Sequence, residues 1–278
     1  MIVYGGLSGD SIGALLIAGT SPGIVLTITI SGAVILIAKM KPAWIAHAPV
    51  AGVTWRQRFA TLPSFWPVVV IAAVVFGGIF GGVFSPTEAG AVASFIMFIV
   101  LFIIKRRASL EVLKTSLLDT AGISAMIMFI FGSATVFSHL LVMTGVSGWI
   151  IDGIIGLNLS NLSLVIVIAV MYIAMGCFLD GISMICITVP IFTPVITALG
   201  IDTLWYAMVV ILAMHVGLIT PPVGLDVYAA KGVAEPDVSI EDIFAGALPF
   251  FLATLVALVI VIAFPWLSTI LPSLMLGG

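Results

Sequence analysis

The sequence predicts an all-α polytopic membrane protein, and three observations carry that prediction. The chain is 62% hydrophobic and only 8% charged, with a mean hydropathy of +1.38, a composition that soluble domains do not reach. Its apolar residues fall into runs near the ~20 residues a spanning helix needs. Its basic residues are segregated: Lys39, Lys41, Arg56, Arg58, Lys105, Arg106, Arg107 and Lys114 leave only Lys231 elsewhere.

The runs follow in order. The first, residues 11–38, contains Pro22 and Gly23 and ends at Lys39 and Lys41. A mixed segment with Arg56 and Arg58 reads as lying at the membrane interface. Runs 65–84 and 89–104 are joined by "SPTEAG", where Glu88 with Ser85 or Thr87 has the spacing of a helix cap. A short amphipathic piece, 110–118, leads into run 120–143. Then come "SGWIIDGIIGL", a run over 162–176, and the interrupted stretch "CFLDGISMICITVPIFTPVITALG". Runs 204–219 and 243–264 complete the pattern. The chain reads as one transmembrane region in three stretches: 1–62, a first helix and linker; 63–119, a helix pair around "SPTEAG"; and 120–278. Two apolar passes separate the two basic segments, so both lie on one side, which the positive-inside rule makes cytoplasmic.

Several function classes are excluded. No basic face exists to hold phosphates, so no nucleic-acid partner is expected. Cys177 and Cys186 have no metal-ligand spacing and read as core-filling thiols. The first ten residues lack the basic-then-apolar pattern of a signal peptide. There is no Walker loop, zinc signature or G-x-S-x-G turn, and no spacing of Ser, His and Asp singles out a triad. His139 and His215 lie in apolar runs and read as hydrogen-bonded core residues.

An internal repeat is visible. "VYGGLSGDSIGALLIAGTSPG" near the start matches "VYAAKGVAEPDVSIEDIFAGALPF" near the end, pairing Tyr4 with Tyr228, Ser11 with Ser239, Ala18 with Ala245, Gly19 with Gly246 and Pro22 with Pro249. Repeats in inverted pairs are a transporter design. The second copy is preceded by "TPPVG" and the first by Met1 and Ile2 alone. The expectation is therefore a C-terminal portion of a longer protein that lacks most of the first repeat, with Met1 an internal methionine of the parent.

Two motifs interrupt apolar sequence. In residues 177–200, Pro190 and Pro194 split the run and Gly181 follows Asp180. This suggests a re-entrant hairpin about 180–198; a single proline-kinked helix is the other reading. Asp180 either belongs to a hydrated or ion-bound site, because an unpaired acid beside hydrocarbon is costly, or caps the next helix. In "TPPVG", Pro221 and Pro222 lack an N–H and free preceding carbonyls. Those carbonyls with the Thr220 hydroxyl suit a hard cation such as Na⁺, and Gly224 permits close backbone approach. A surface turn is the other reading. This breaks the helix about 204–230, and Asp226 falls near the cavity or its rim.

At "SPTEAGAVA", "GCFLDGISMICITVPIFTP", "ALGID" and "GLITPPVG", in that order, the chain resembles the large membrane subunit of the tripartite ATP-independent periplasmic (TRAP) transporters, the DctM type. The resemblance implies a multi-pass inner-membrane permease with an ion-transporter-type fold, in which each of two inverted repeats holds a re-entrant hairpin and a broken helix that move as an elevator. It implies a Na⁺-coupled symporter with no other cofactor and no enzyme activity. The cargo is an organic acid, C4-dicarboxylate or sialic-acid-like. Its partners are an extracytoplasmic DctP-like binding protein, a small DctQ-like membrane subunit and the lipid bilayer. By motif, Gly176 and Asp180 open the second hairpin and Pro190 and Pro194 end it. Thr220, Pro221, Pro222 and Gly224 form the break where Na⁺ meets backbone carbonyls. Ser183, Pro190 and Asp226 are substrate-cavity candidates. Ser85 departs from the family's usual Thr, and His215 and Asp226 stand where other polar residues are expected. The first hairpin and its Pro-Pro partner are absent, so the alternative expectation is a truncated or split-gene permease fragment without transport of its own.

Overall fold

The computed structural model describes residues 1–40, 65–104, 109–156, 159–235 and 237–276. Their regular secondary structure is all helical, with no strand among them. The order is α1 (Ile2–Ser8), α2 (Ile12–Ala18), α3 (Thr20–Met40), α4 (Trp66–Phe80), α5 (Pro86–Phe98), α6 (Leu110–Met143), α7 (Val146–Gly156), α8 (Asn161–Gly176), α9 (Gly181–Ala198), α10 (Thr203–Ile219), α11 (Leu225–Val233), α12 (Ile240–Ala263) and α13 (Trp266–Leu276), with a π-helical turn at Ile99–Ile104 after α5. Five stretches are long and apolar enough to cross a membrane: Ile12–Met40, Pro86–Ile104, Leu110–Met143, Gly181–Ala198 and Ile240–Ala263. The expected interfacial segment with Arg56 and Arg58, and the basic run at 105–107, lie outside the described residues.

The chain forms two compact units, Met1–Met40 with Ile127–Gly278, and Lys41–Met126. In the second unit α4 packs on α5. The "SPTEAG" link starts α5 with a full capping box: the Glu88 N–H donates to Ser85 Oγ (3.3 Å), and the Ser85 N–H donates back to Glu88 Oε2 (2.8 Å). Two of the orphan donors at a helix start are satisfied reciprocally in this way.

The first unit is organised around α10. Twelve of its seventeen residues are buried: Trp205 to Val210, Leu212 to Met214 and Val216 to Leu218. A 17-residue helix rises only about 25 Å, less than the ~30 Å hydrocarbon core, and here the chain's own helices surround it. It packs against α8, α12, α9, α13, α11 and α2, while α3 packs on α12 and α1 on α9. Asp202 caps its start by accepting from the Trp205 N–H (2.8 Å). The Thr203 hydroxyl donates to Asp10 Oδ1 (2.7 Å), tying the α1–α2 turn to the same end. Outward-facing Ile28, Ile35, Phe129, Val136, Leu252 and Val259 are more than half exposed. An apolar surface of that extent is stable against lipid and not against water.

The repeat has local structure. Ser11 caps α2 and Ser239 caps α12, each accepting from the N–H three residues on. The copies differ in burial: Tyr4 is 1% exposed and Tyr228 50%.

Three expectations need correction. Residues 181–198 form one continuous helix with both prolines inside it, so two short halves are not formed within 180–198. Pro190 and Pro194 withhold donors from the carbonyls of Cys186 and Pro190, but buried Val189, Val195 and Ile196 and the packing of α1 and α7 against α9 hold the helix together. His139 and His215 are exposed rather than core, and His215 Nδ1 bonds the Ile211 carbonyl of its own helix (2.8 Å). The amphipathic piece at 110–118 and the run after it are one 34-residue helix, α6.

One buried bond is dictated by a proline. The Val261 carbonyl has lost its helical donor because residue 265 is Pro, and the Trp205 indole N–H supplies the replacement across helices (2.9 Å). Trp205→Phe leaves that carbonyl unpaired and is expected to destabilise the protein by about 1–3 kcal/mol, read by denaturant unfolding in detergent micelles. A loss no larger than that of a surface substitution would show the bond to be immaterial.

Candidate functional site: the break after α10

The α10 break is built by local chemistry. Pro221 cannot donate to the Gly217 carbonyl, nor Pro222 to that of Leu218. The Gly217 carbonyl is satisfied instead by the Thr220 N–H (2.9 Å). The Thr220 hydroxyl donates to the Val216 carbonyl (2.6 Å), which leaves its own lone pairs free. The Leu218 carbonyl has lost its helical donor. Thr220 turns extended (φ −87°, ψ 135°), Pro221–Pro222 is cis, and Gly224 starts α11 at φ 57°, a conformation that L side chains rarely adopt. A Cβ on Gly224 would also meet Phe244 at 3.0 Å and the Thr220 carbonyl at 3.2 Å.

Gly176, the last residue of α8, is buried against this break. A Cβ on Gly176 would lie 2.7 Å from Gly217 Cα, and one on Gly217 would lie 2.7 Å from both Gly176 Cα and the Ile173 carbonyl. The two helices therefore meet backbone to backbone, which small residues alone permit. Gly181 packs on Met214 of the same helix, its would-be Cβ 2.8 Å from the sulfur. The "GCFLDG" turn is thus laid along the last turns of α10.

Asp180 is exposed and caps α9: its Oδ2 accepts from the N–H groups of Ile182 (3.0 Å) and Ser183 (3.1 Å). Pro221 and Pro222 are exposed and Thr220 is half-buried. Among the described residues no group of three His, Cys, Asp or Glu side chains is placed to hold a metal, so a cation here would rest on carbonyl and hydroxyl oxygens.

A cavity of about 410 Å³ lies between the latter part of α6 and the start of α9. Phe129, Ile130, Ser133, Ala134, Phe137, Ser183, Cys186 and Ile187 line it. Of the three cavity candidates, Ser183 reaches it. Pro190 is buried in the helix packing, and Asp226 is exposed on the first turn of α11. Gly217 and Met214 went unnoticed in the sequence because nothing local marks a residue as a contact between distant helices.

The glycine contact gives a direct test. Gly217→Ala forces backbone apart and is expected to cost about 1–3 kcal/mol. Gly32→Ala, mid-helix in α3 with nothing within 4 Å, is expected to gain about 0.5–1 kcal/mol. Comparison of the two variants in denaturant unfolding checks the contact, and equal behaviour would refute it.

The family described as "Tripartite ATP-independent periplasmic transporter, DctM component" matches residues 1–267. The chain is 28% identical to the C4-dicarboxylate TRAP transporter large permease protein DctM of Vibrio cholerae, over 100% of this chain and 64% of that protein. It is 31% identical to the protein of the same description from Pseudomonas aeruginosa, over 98% and 62%, and 28% identical to the sialic acid TRAP transporter large permease protein SiaM of Vibrio cholerae, over 100% and 64%. The chain thus spans a little under two thirds of the length of these relatives. A multi-pass protein of the inner membrane and not an enzyme, the chain belongs to the DctM component family of the tripartite ATP-independent periplasmic transporters.

Proposed function

We propose that the chain is part of a Na⁺-coupled permease that imports an organic acid delivered by an extracytoplasmic binding protein, alongside a small DctQ-like subunit. The observation that carries this reading is the break in α10 itself, where Pro222 leaves the Leu218 carbonyl without its helical donor. The donor-less Leu218 carbonyl and the free lone pairs of Thr220 stand beside the Gly176–Gly217 contact, with the Asp180 turn packed along the same helix. This donor set fits a hard monovalent cation. Gly176, Thr220, Pro221, Pro222 and Gly224 shape the break and Asp180 adds the negative charge. Bound there, Na⁺ supplies positive charge that offsets an anionic cargo. Among the described residues the lining of the Ser183 cavity has no Lys or Arg, so none of them offers an organic anion a neutralising side chain.

Relatives carry names for dicarboxylate, sialic acid, ectoine and isethionate transport, so the substrate class is no narrower than small polar organic solutes. The span of under two thirds of those relatives favours a second reading, a partial permease without transport of its own. Uptake that appears only on co-expression with the N-terminal part of a DctM relative is the outcome expected under that reading.

Asp180→Ala and Thr220→Ala, in a transport-competent permease carrying this chain and reconstituted in vesicles, are expected to raise the Na⁺ concentration for half-maximal uptake by about tenfold, the equivalent of one charge-assisted contact. Unchanged Na⁺ dependence in both would sink the assignment.

A further inference from the structure

The core of the first unit holds a knot of hydroxyls in apolar surroundings. Tyr4 of α1, Tyr172 of α8 and Tyr206 of α10 are at most 1% exposed, and Thr188 of α9 is 3% exposed. A buried hydroxyl is costly unless it is bonded. Thr188 Oγ1 donates to the Met184 carbonyl (2.6 Å). A carbonyl can only accept, so the single Thr188 proton is committed there. Toward Tyr172 the Thr188 oxygen offers only lone pairs. In the hydrogen bond between them, Tyr172 is therefore the donor.

The outcome is a directed relay, from the Tyr172 phenol on α8 to Thr188 and on to the Met184 backbone of α9. Its two ends matter. The Met184 N–H donates to the Asp180 carbonyl (3.0 Å), so the relay finishes on the helical turn that begins at Asp180. Tyr172 is four residues before Gly176, one turn away on the same face of α8. One face of α8 thus holds α10 through Gly176 and α9 through Tyr172.

We infer that Tyr172 and Thr188 are positioning residues that fix the first two turns of α9, and with them Asp180 and Ser183, against the α8–α10 glycine contact. They touch neither ion nor substrate. Their consequence for cation binding rests on the function proposed above, whereas their hold on α9 does not. The Tyr206 phenol, also fully buried, lies beside that of Tyr172 and belongs to the same knot.

The test is hydrogen exchange by mass spectrometry on the whole chain in lipid nanodiscs, without sodium and then across a NaCl series with KCl controls. Without sodium, Tyr172→Phe and Thr188→Val are expected to speed exchange over residues 181–189 about five- to tenfold, the loss of one buried hydrogen bond, while α12 is unchanged. The double variant is no faster than the faster single one, because both break the same relay. Thr188→Ser, which keeps the hydroxyl, stays near the parent rate. Parent-like exchange in both Tyr172→Phe and Thr188→Val would overturn the proposal. So would Thr188→Ser exchanging as fast as Thr188→Val, a comparison that decides the matter if Tyr172→Phe does not fold. If sodium slows exchange over 181–189 in the parent, Tyr172→Phe is expected to need about five- to tenfold more of it for the same protection. Sodium without effect in the parent would count against the cation reading alone, since the sodium-free rates test the relay independently.

Discussion

The contact on which the rest depends is the approach of Gly176 to Gly217. Helices in lipid gain little from hiding apolar side chains from one another, because the surroundings are apolar too. Close packing and hydrogen bonding have to hold them together. At this contact two backbones touch, and the space between them admits no Cβ. Everything at the break follows from that closeness. The end of α8 lies against the end of α10, so the turn leading to Asp180 starts beside the carbonyls that Pro221 and Pro222 set free.

Proline has the same chemical effect twice in this chain, with opposite results. Pro265 removes the donor for the Val261 carbonyl, and the Trp205 indole replaces it from α10. Pro222 removes the donor for the Leu218 carbonyl, and the neighbouring Thr220 N–H and hydroxyl are committed to Gly217 and Val216. The first break is healed and serves stability. The second leaves oxygen unspent, in the segment where Gly224 also adopts a backbone conformation other residues avoid. A membrane protein tolerates exposed backbone only beside protein or a wet cavity, which is why the second break reads as functional.

The helix α9 joins these themes. One side faces the phenols of the core, and the other, with Ser183 and Cys186, lines the cavity toward α6. Its two prolines weaken its own ladder, and it is held by neighbours instead: α1, α7 and the hydroxyl relay from α8. A helix held in this way has a position that its partners set, and Asp180 at its start inherits that position.

The sequence by itself determined the class and most of the punctuation. Hydropathy over windows of about twenty residues is a local property, so the long helices were legible, as were the Ser85–Glu88 box and the break at "TPPVG", because caps and prolines act within one turn. The motif set was enough to indicate the family. Short helices such as α1 and α13 escaped notice, being too brief to mark themselves against a background already 62% hydrophobic. The prolines in α9 suggested two halves, and packing kept one helix. Asp180 was legible as both a cap and a candidate ligand, and the structure fixed the cap. What only the tertiary structure decided was pairing: Gly176 with Gly217, Trp205 with Val261, Tyr172 with Thr188, Asp10 with Thr203. Each joins residues of separate helices, and no periodicity along a chain records which helix will lie beside which. That choice belongs to the fit of whole surfaces.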